Sequence, residues 1–332
     1  MRRRTLDLLR CPECGSRVVL RSVASGSEGR VEEGLLGCAE CGREYPVSGS
    51  VPRFRTSSGS ETGPATARRF QVQWRRFQAI ERSSKDQFQD WIHPIEEAFL
   101  KGKTVLDVGC GMGRFTRCFA EAGAGYVVGL DLGDSVDVAQ DLYGNLENVD
   151  FVQADIMNMP FGPVFDLASS IGVLHHLPQP RLGFERMVQT VHSRGHVFAW
   201  VYGRENNGFI VRFVSPVRRK VTSRIPDRAL SALSFVLAAG LHPVLKLLYR
   251  PVGRFRALRF LRKILFYYPY LHWLSGYGFR HTQVVIYDHL TAPVAHYIAE
   301  DEFRSWFSAA GCSEVVVTPR NRNSWRGLGR VP

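Results

Sequence analysis

The sequence predicts a doubly wound α/β domain with a small cysteine-rich ribbon before it and a helical insertion within it. Three observations lead to this prediction. Short apolar runs alternate with helical patterns between residues 104 and 201, which is typical of a parallel sheet with helices on both faces. Two Cys-x2-Cys pairs precede that region. Residues 202–299 are basic and apolar, and the core pattern resumes only at residue 300.

Residues 104–116 (TVLDVGCGMGRFT) are the most informative stretch of the chain. An apolar run predicts a buried strand that contains Asp107 and leads into a glycine-rich turn and a helix. Gly109, Gly111 and Gly113 have the spacing Gly-x-Gly-x-Gly, whereas a nicotinamide dinucleotide fold favours Gly-x-Gly-x-x-Gly. Glycine permits a tight turn and the close approach of a ligand, and the first amides of a helix favour an anionic group. The stretch therefore predicts a ligand-binding turn.

Acidic residues end the next two predicted strands. Asp131 closes the apolar run 126–131, at about the 20-residue distance from the glycine turn that a ribose-binding carboxylate has. Asp155 follows the strand predicted near 150–154. Because the carboxyl ends of parallel strands share one edge of a sheet, we expect these carboxylates to meet Asp107 there.

Together with residues 165–177 (FDLASSIGVLHHL), these stretches give four motifs in an order that resembles the class I S-adenosylmethionine (SAM) methyltransferases. The resemblance implies a seven-stranded Rossmann-like sheet, SAM as cofactor and methyl transfer as activity. It also implies that the glycines line the methionine end of SAM, that the first acid holds its ammonium group, and that the third acid meets its adenine. The cofactor-binding residues implied are Asp107, Gly109, Gly111, Gly113, Asp131, Leu132, Asp155, Ile156 and Ser170.

The two cysteine pairs predict a structural zinc site. Cys11 and Cys14 form one pair, Cys38 and Cys41 form the other, and a glycine follows each pair directly. Four thiolates on two tight turns suit tetrahedral zinc, and so small a ribbon depends on its metal for folding. Disulfides and redox catalysis are the alternatives. Residues 6–54 resemble the short zinc-ribbon activator subunit of eukaryotic and archaeal methyltransferases, here fused to its enzyme.

A stretch rich in Ser, Gly and Thr separates the ribbon from the core and predicts a linker. Phe70, Trp74 and Phe77 follow at helical spacing, which predicts an amphipathic helix that packs on the core or closes over the cofactor. A second helix is predicted over 87–100. The predicted domains are the zinc ribbon at 1–55, the linker and leading helix at 56–86, the methyltransferase core at 87–201 and 300–332, and the insertion at 202–299.

Nearly all of the net charge lies in the insertion. The chain carries +12, and residues 205–275 contain thirteen Lys and Arg but only Glu205 and Asp227 as acids, which gives this segment +11. The uncharged run 229–245 contains a His-Pro pair and falls short of the about 20 apolar residues of a spanning helix, so we do not expect it to cross a membrane.

Three interpretations of the insertion remain open. It is a helical cap over the active site, an amphipathic surface on an anionic membrane, or a surface that binds nucleic acid. Its high aliphatic content favours the first two over RNA. The chain shows no signal peptide, so we expect a cytoplasmic enzyme, with peripheral association at the inner face of the membrane as a further hypothesis.

The catalytic candidates follow the fourth motif. His175 and His176 lie just past the fourth core strand, where the family places residues that face the substrate, and a histidine there can deprotonate a hydroxyl or an amine near neutral pH. The alternative for either one is a loop histidine bonded to a backbone carbonyl. Asp288, at the end of the insertion, is a weaker candidate because it could project back toward the pocket.

The sequence therefore predicts a SAM-dependent methyltransferase acting on a small or amphiphilic acceptor, such as a quinone-like, lipid-like or secondary-metabolite-like molecule. An RNA methyltransferase that uses the ribbon and the basic insertion to bind RNA is the second hypothesis. A SAM-binding adaptor without catalysis is the third.

Overall fold

The computed structural model describes residues 1–27, 29–54, 84–292 and 294–332, with 84–86 described by their backbone alone. The linker and the aromatic helix predicted around Phe70, Trp74 and Phe77 lie outside these residues. The strands are β1 Val18–Ser27, β2 Arg30–Cys38, β3 Glu44–Ser48, β4 Val51–Phe54, β5 Thr104–Val108, β6 Tyr126–Asp131, β7 Val149–Ala154, β8 Phe165–Ile171, β9 Val191–Tyr202, β10 Ser313–Arg320 and β11 Ser324–Arg330.

Helices lie between most of the core strands and make up the insertion. The α-helices are Arg3–Leu8, Ser84–Ile92, Glu97–Leu100, Arg114–Glu121, Ser135–Tyr143, Pro180–Val188, Ser215–Lys220, Asp227–Val244, Arg250–Arg254, Tyr268–Ser275, Phe279–Thr291 and Glu300–Ala309. Short 3-10 helices are Ile156–Asn158, Leu174–His176, Thr222–Arg224 and Arg256–Lys263, and π-helical turns are Ile210–Val214 and Leu245–Tyr249.

The described strands form one sheet in the order β1-β2-β3-β4-β7-β6-β5-β8-β9-β11-β10. Strands β5 to β9 are parallel, and β11 runs antiparallel to β9. Apolar side chains leave the sheet on both faces: Val105 packs in the cluster on one face and Leu106 in the cluster on the other. The seven strands β5 to β11 confirm the predicted doubly wound core.

Two element boundaries differ from the prediction. The helix predicted over 87–100 is two helices: the first ends at Ile92 and the second begins at Glu97. Pro94 lies between them, lacks an amide donor and restricts the residue before it. The last parallel strand, β9, begins at Val191 rather than near residue 195.

The ribbon continues the sheet of the core. Its four strands pair antiparallel with one another, and β4 then pairs parallel with β7, where Arg53 lies opposite Gln153 and Phe54 opposite Ala154. An unpaired strand edge exposes backbone donors and acceptors that can recruit other chains. The ribbon therefore covers the edge of β7 that the core by itself leaves open.

A buried carboxylate attaches the first residues of the chain to the core. Asp150 in β7 is fully buried and accepts a hydrogen bond from the backbone amide of Arg2 at 2.9 Å and from the Tyr126 hydroxyl at 2.7 Å. The Arg2 guanidinium pairs with it at 3.0 Å, and the Thr5 hydroxyl donates to it as well. Several donors surround the carboxylate, which is therefore paired and hydrogen-bonded as a buried charge requires.

The insertion forms a helical layer with small cores of its own. Helix Asp227–Val244 packs against Phe279–Thr291, with Leu230, Val284 and Tyr287 buried between them. By length and composition the continuous helical run Asp227–Arg254 could cross a membrane, with a mean hydropathy of 1.6, and 28% of its apolar window is buried in the fold. Core helices of soluble proteins meet the same criterion, so the expectation that this run does not span a membrane stays a prediction.

Candidate active site and metal centre

A cavity of about 480 Å³ lies at the carboxyl ends of the parallel strands. The glycine turn, the loops after β6, β7 and β8, the ends of β9 and β10 and helices of the insertion all contribute to its wall. The insertion therefore covers the strand ends as a cap. Of the residues singled out in the sequence, the cavity wall includes Gly109, Gly111, Asp131, Leu132, Asp155, Ile156, His176 and Asp288.

The glycine turn leaves room that a side chain would fill. Gly109 has a φ of 78°, and a Cβ atom there would lie 2.5 Å from the Cγ2 atom of Val173. The amides of Gly109 and Cys110 both donate to the Leu130 carbonyl, at 2.7 and 2.9 Å, which fixes the turn against the end of β6. Only glycine combines this conformation with this close packing.

Asp131 has the surroundings of an anchored, ligand-facing carboxylate. It accepts hydrogen bonds from the amide of Gly111 at 2.9 Å, the amide of Gly133 at 2.8 Å and the hydroxyl of Ser135 at 3.3 Å. Burial raises the pKa of Asp131, while these hydrogen bonds oppose the rise. The carboxylate is thus held in one orientation at the cavity wall, where it can accept from two neighbouring hydroxyls of a ribose.

The loop after β7 supplies the next part of the wall. The Asp155 carboxylate accepts from the amide of Met157 at 2.9 Å and thereby caps the 3-10 helix that begins with Ile156. Ile156 is buried and lies beside it in the wall. An acid next to an apolar side chain suits the amino group and the face of an adenine ring.

Three predicted cofactor residues do not line the cavity. Asp107 is buried behind the turn and accepts from the Thr116 hydroxyl at 2.6 Å, and burial raises the pKa of Asp107 to about 7. The hydroxyl of Ser170 donates to the carbonyl of Val108 at 3.1 Å. Gly113 is needed for packing, since a Cβ atom there would lie 2.9 Å from the ring of Phe151. These residues hold the turn and the strands in place.

The two adjacent histidines have different environments. His176 lines the cavity, and its Nδ1 atom lies 2.7 Å from the carbonyl oxygen of Val294. His175 is fully buried away from the wall, its ring 3.9 Å from that of Tyr202, and neither ring nitrogen has a hydrogen-bond partner among the described residues. Burial lowers the pKa of His176 to about 4 and the pKa of His175 well below its usual value.

Asp288 connects the insertion to the core at the cavity wall. It lies in helix Phe279–Thr291 and accepts a hydrogen bond at 3.0 Å from the hydroxyl of Tyr202, the last residue of β9. Both residues line the cavity. Asp288 therefore lies in the cavity wall, where the sequence analysis expected it to project.

Aromatic side chains that were not singled out as site residues form a further part of the cavity wall. The rings of Trp91 and Trp200 stack at 4.7 Å with an interplanar angle of 2°. The guanidinium of the buried Arg320 lies 5.1 Å from the ring of Trp91 and 4.7 Å from that of Trp273. Tyr270 and Tyr297 complete this wall. These residues come from five separate segments, so no local sequence pattern connects them.

The four ribbon cysteines form a metal site. The thiol groups of Cys11, Cys14, Cys38 and Cys41 all lie within 4.8 Å of one another, with Cys11 to Cys41 at 3.6 Å and Cys14 to Cys38 at 3.4 Å. Tetrahedral zinc with four thiolates requires sulfur atoms about 3.8 Å apart, given its bond length. The donor set and its spacing therefore fit zinc, and all four positions of the site are filled by protein.

Comparison with known families agrees with this geometry. Residues 106–199 match the family model described as a methyltransferase domain, and residues 2–50 match that of Trm112p-like proteins. The chain carries a methyltransferase domain behind a Trm112p-like domain. Both resemblances drawn from the sequence are thereby confirmed, as are the prediction of a SAM-binding fold and that of a zinc-type ribbon.

Curated relatives share only part of the chain. The ubiquinone biosynthesis O-methyltransferase of Pseudomonas paraeruginosa is 33% identical over 126 residues, which are 36% of this chain and 53% of the relative. That of Aromatoleum aromaticum is 32% identical over 125 residues, or 36% and 52%. The chain spans about half the length of the curated relatives it matches.

Two of the solved structures that this chain matches are distant from it in sequence. Human N-acetylserotonin methyltransferase in complex with SAM is 14% identical, over 82% of this chain and 59% of that chain, with a TM-score of 0.48. A complex containing the Haloferax volcanii Trm112 methyltransferase activator is 14% identical, over 79% and 97%, with a TM-score of 0.46.

Cys38→Ser should remove the zinc. We expect about one zinc ion per wild-type chain by elemental analysis and a large loss in the variant, because a single missing thiolate opens the tetrahedral site. Cys312→Ser is the control, since Cys312 lies in the core outside the cluster. A folded wild-type chain without metal would contradict the assignment.

Asp131→Ala should weaken binding of S-adenosylhomocysteine at least about a hundredfold, because two charge-assisted hydrogen bonds are lost. Isothermal titration calorimetry measures the affinity, and the midpoint of thermal unfolding checks the fold. Asp141→Ala removes an exposed carboxylate from the following helix and should leave the affinity unchanged. Equal affinity in Asp131→Ala and wild type would refute the assignment of this edge to the cofactor.

Proposed function

We propose that the chain is a SAM-dependent methyltransferase whose acceptor is a planar aromatic hydroxyl compound with an apolar, amphiphilic character. One observation carries this proposal. A single cavity joins a polar side with the glycine turn, Asp131 and Asp155 to an aromatic side with Trp91, Trp200 and Tyr270. The first suits a nucleoside with a charged tail, and the second suits a flat apolar ring beside it.

The polar side accounts for cofactor binding. Gly109 and Gly111 admit the methionine portion, Asp131 receives the ribose hydroxyls, and Asp155 with Ile156 receives the adenine. When bound there, SAM supplies an electrophilic methyl group on a sulfonium. The protein then has to orient an acceptor oxygen and accept its proton.

His176 is the proposed general base. The Val294 carbonyl can only accept a hydrogen bond, so the Nδ1 atom of a neutral His176 carries the ring proton and Nε2 carries the lone pair. Because burial lowers the pKa of His176 to about 4, the ring is neutral at pH 7. The acceptor oxygen would bond to the methyl carbon as the bond from that carbon to the sulfonium sulfur breaks and S-adenosylhomocysteine leaves, and Nε2 of His176 would take the proton of the acceptor hydroxyl. The nearby negative charge of Asp288 favours the imidazolium that results.

The aromatic wall and the relatives both support a quinone-like acceptor. Tyr202 and Tyr297 have nearly parallel rings, 24° apart with centroids at 5.8 Å, and both line the cavity. Such surfaces bind flat aromatic compounds by stacking. The relatives named for ubiquinone biosynthesis agree with this class, although the similarity covers about a third of the chain. RNA is the alternative acceptor.

Transfer of label from methyl-tritiated SAM tests the acceptor class. With tailed quinols as probes, and with a fractionated lysate of cells lacking this chain, we expect counts in the organic extract. Counts confined to RNA would replace the proposal with the RNA methyltransferase. Transfer to neither fraction would favour the adaptor without catalysis.

His176→Gln should lower kcat on the identified acceptor about a hundredfold, because general base catalysis contributes about that much. S-adenosylhomocysteine affinity should change less than about twofold, since the imidazole binds no part of the cofactor in this proposal. His192→Gln is the matched control: His192 is partly exposed and pairs with Asp166 at 3.1 Å, away from the cavity wall.

The pH profile gives a second check on the same base. A lowered pKa keeps His176 neutral from pH 8 down to about pH 5, so the wild-type rate should not fall through the usual histidine range near 6.5. A decline with an apparent pKa near 6.5 would contradict a desolvated His176 as the base.

We further propose that the enzyme associates peripherally with the inner face of an anionic membrane. Among the described residues, sixteen of the nineteen large apolar side chains that are exposed lie between residues 209 and 266. The same segment carries most of the net charge. Exposed apolar side chains among cations suit the interface of an anionic bilayer, where each cation adds about 1 kcal/mol. An amphiphilic acceptor would be available at that surface.

Leu247→Ser and Ile264→Ser together should reduce binding to vesicles containing phosphatidylglycerol about tenfold or more, because these side chains are 79% and 72% exposed. Flotation with and without the anionic lipid measures the binding. Val23→Ser, 52% exposed on the ribbon, is the control. Absence of wild-type binding to anionic vesicles would reject the surface, and resistance to carbonate extraction would replace it with a spanning helix.

A further inference from the structure

We propose that the zinc ribbon positions the cofactor-binding loop through Arg53, a residue of β4 that acts on the Asp131 segment by way of the buried Gln153. Arg53 is thus a positioning residue for SAM, and this inference rests on the proposed function. It assigns to the ribbon a role in the active site, although none of the described ribbon residues lines the cavity.

Arg53 connects the ribbon to two neighbouring parts of the core. Its Nη1 atom donates to the Oε1 atom of Gln153 at 2.9 Å. Its Nη2 atom donates to the carboxylate of Asp137 at 2.5 Å and to the carbonyl of Ser48 at 3.1 Å. The side chain is 16% exposed, so these interactions are largely shielded from water. Arginine suits this place because its planar fork offers several donors in fixed directions.

Gln153 connects Arg53 to the loop that follows Asp131. It is fully buried, and its Nε2 atom donates to the carbonyl of Leu132 at 3.2 Å and to the carboxylate of Asp134 at 3.0 Å. A guanidinium can only donate, so the amide oxygen of Gln153 has to face Arg53 and its NH2 group has to face the loop. Without Arg53 the buried amide oxygen loses this donor, which disfavours the observed orientation.

The two guanidinium nitrogens of Arg53 therefore both act on the segment 131–137, Nη1 through Gln153 and Nη2 through Asp137. Leu132 and Asp131 line the cavity, and Ser135, which also lines it, donates to the Asp131 carboxylate. Asp137 lies one half-turn further along the helix that Ser135 begins. Gln153 hydrogen-bonds to the loop, and the Nη2 atom of Arg53 pairs with Asp137 in the helix that follows. These two contacts together fix the position of the Asp131 carboxylate.

The attachment of the ribbon does not depend on this side chain. Backbone pairing of β4 with β7 and the donors around Asp150 join the ribbon and the core separately. Removal of the Arg53 guanidinium should therefore affect the loop while the ribbon stays in place. This distinguishes positioning of the loop from simple anchoring of the ribbon.

The test measures S-adenosylhomocysteine affinity of the zinc-loaded full chain by titration calorimetry. We expect Arg53→Met to bind about tenfold more weakly than wild type, given the cost of removing a charged donor from a buried amide oxygen. Zinc content and the midpoint of thermal unfolding should stay close to wild type. Arg17→Met is the matched control, because Arg17 is also on the ribbon but its pair with Asp7, at 3.8 Å, is 71% exposed on both sides.

Gln153→Glu tests the second step without changing the ribbon. The carboxylate keeps a partner for Arg53 but cannot donate to Leu132 or Asp134, so we expect a loss of similar size. The double variant Arg53→Met with Gln153→Met, which buries no unpaired charge, should bind no more weakly than the weaker of Arg53→Met and Gln153→Met alone, because both changes interrupt one path. This non-additivity would not arise if Arg53 merely stabilised the ribbon.

Affinity of Arg53→Met within about twofold of wild type, or losses that add in the double variant, would overturn the proposal. If Arg53→Met loses zinc or unfolds, Gln153→Glu decides in the same way: a weakened affinity supports the path, and wild-type affinity rejects it. A wild-type chain that does not bind S-adenosylhomocysteine at all would instead refute the proposed function.

Discussion

The parallel alignment of β5 to β9 is the constraint on which the rest of the structure depends. It brings the loops after β5, β6 and β7 to one edge, so that the glycine turn, Asp131 and Asp155 meet although they are far apart in the chain. An edge made of loops, glycines and carboxylates cannot close itself with apolar packing. The insertion supplies the missing cover, and the Tyr202–Asp288 hydrogen bond joins it to the core.

The side edge of the sheet, formed by β7, also has to be covered. Strand β7 would be an open edge, and the ribbon covers it by adding β4 in parallel. A small ribbon has little core of its own, so its zinc supports both its own fold and the surface it presents to β7. Through Arg53 and Gln153 this lateral contact reaches the loop that carries Asp131. The zinc ribbon, the covered edge of β7 and the strands that carry the proposed cofactor site therefore belong to one continuous sheet.

Burial gives the polar groups at the cavity wall and behind it their chemical character. Desolvation favours the neutral forms of His176 and Asp107, whereas three donors hold the Asp131 carboxylate in position. The insertion has two different faces: its inner side contributes aromatic rings to the cavity, and its outer side exposes apolar and basic residues. One element thus covers the proposed acceptor site and presents the surface proposed to contact the membrane.

The sequence by itself determined the sheet class, the clustering of the four ribbon cysteines and the edge of the sheet at which Asp131 and Asp155 lie, because strand periodicity, glycine spacing and Cys-x2-Cys pairs are local patterns. It also found Asp288 and the adjacent histidines, but chain neighbours look alike in sequence, and only the fold distinguished His176 at the cavity from His175 behind it. The tertiary structure alone decided the aromatic wall and the Arg53–Gln153 contact, because these unite side chains from distant segments whose spacing carries no signal. Tertiary packing, which depends on the whole chain, brings these side chains together.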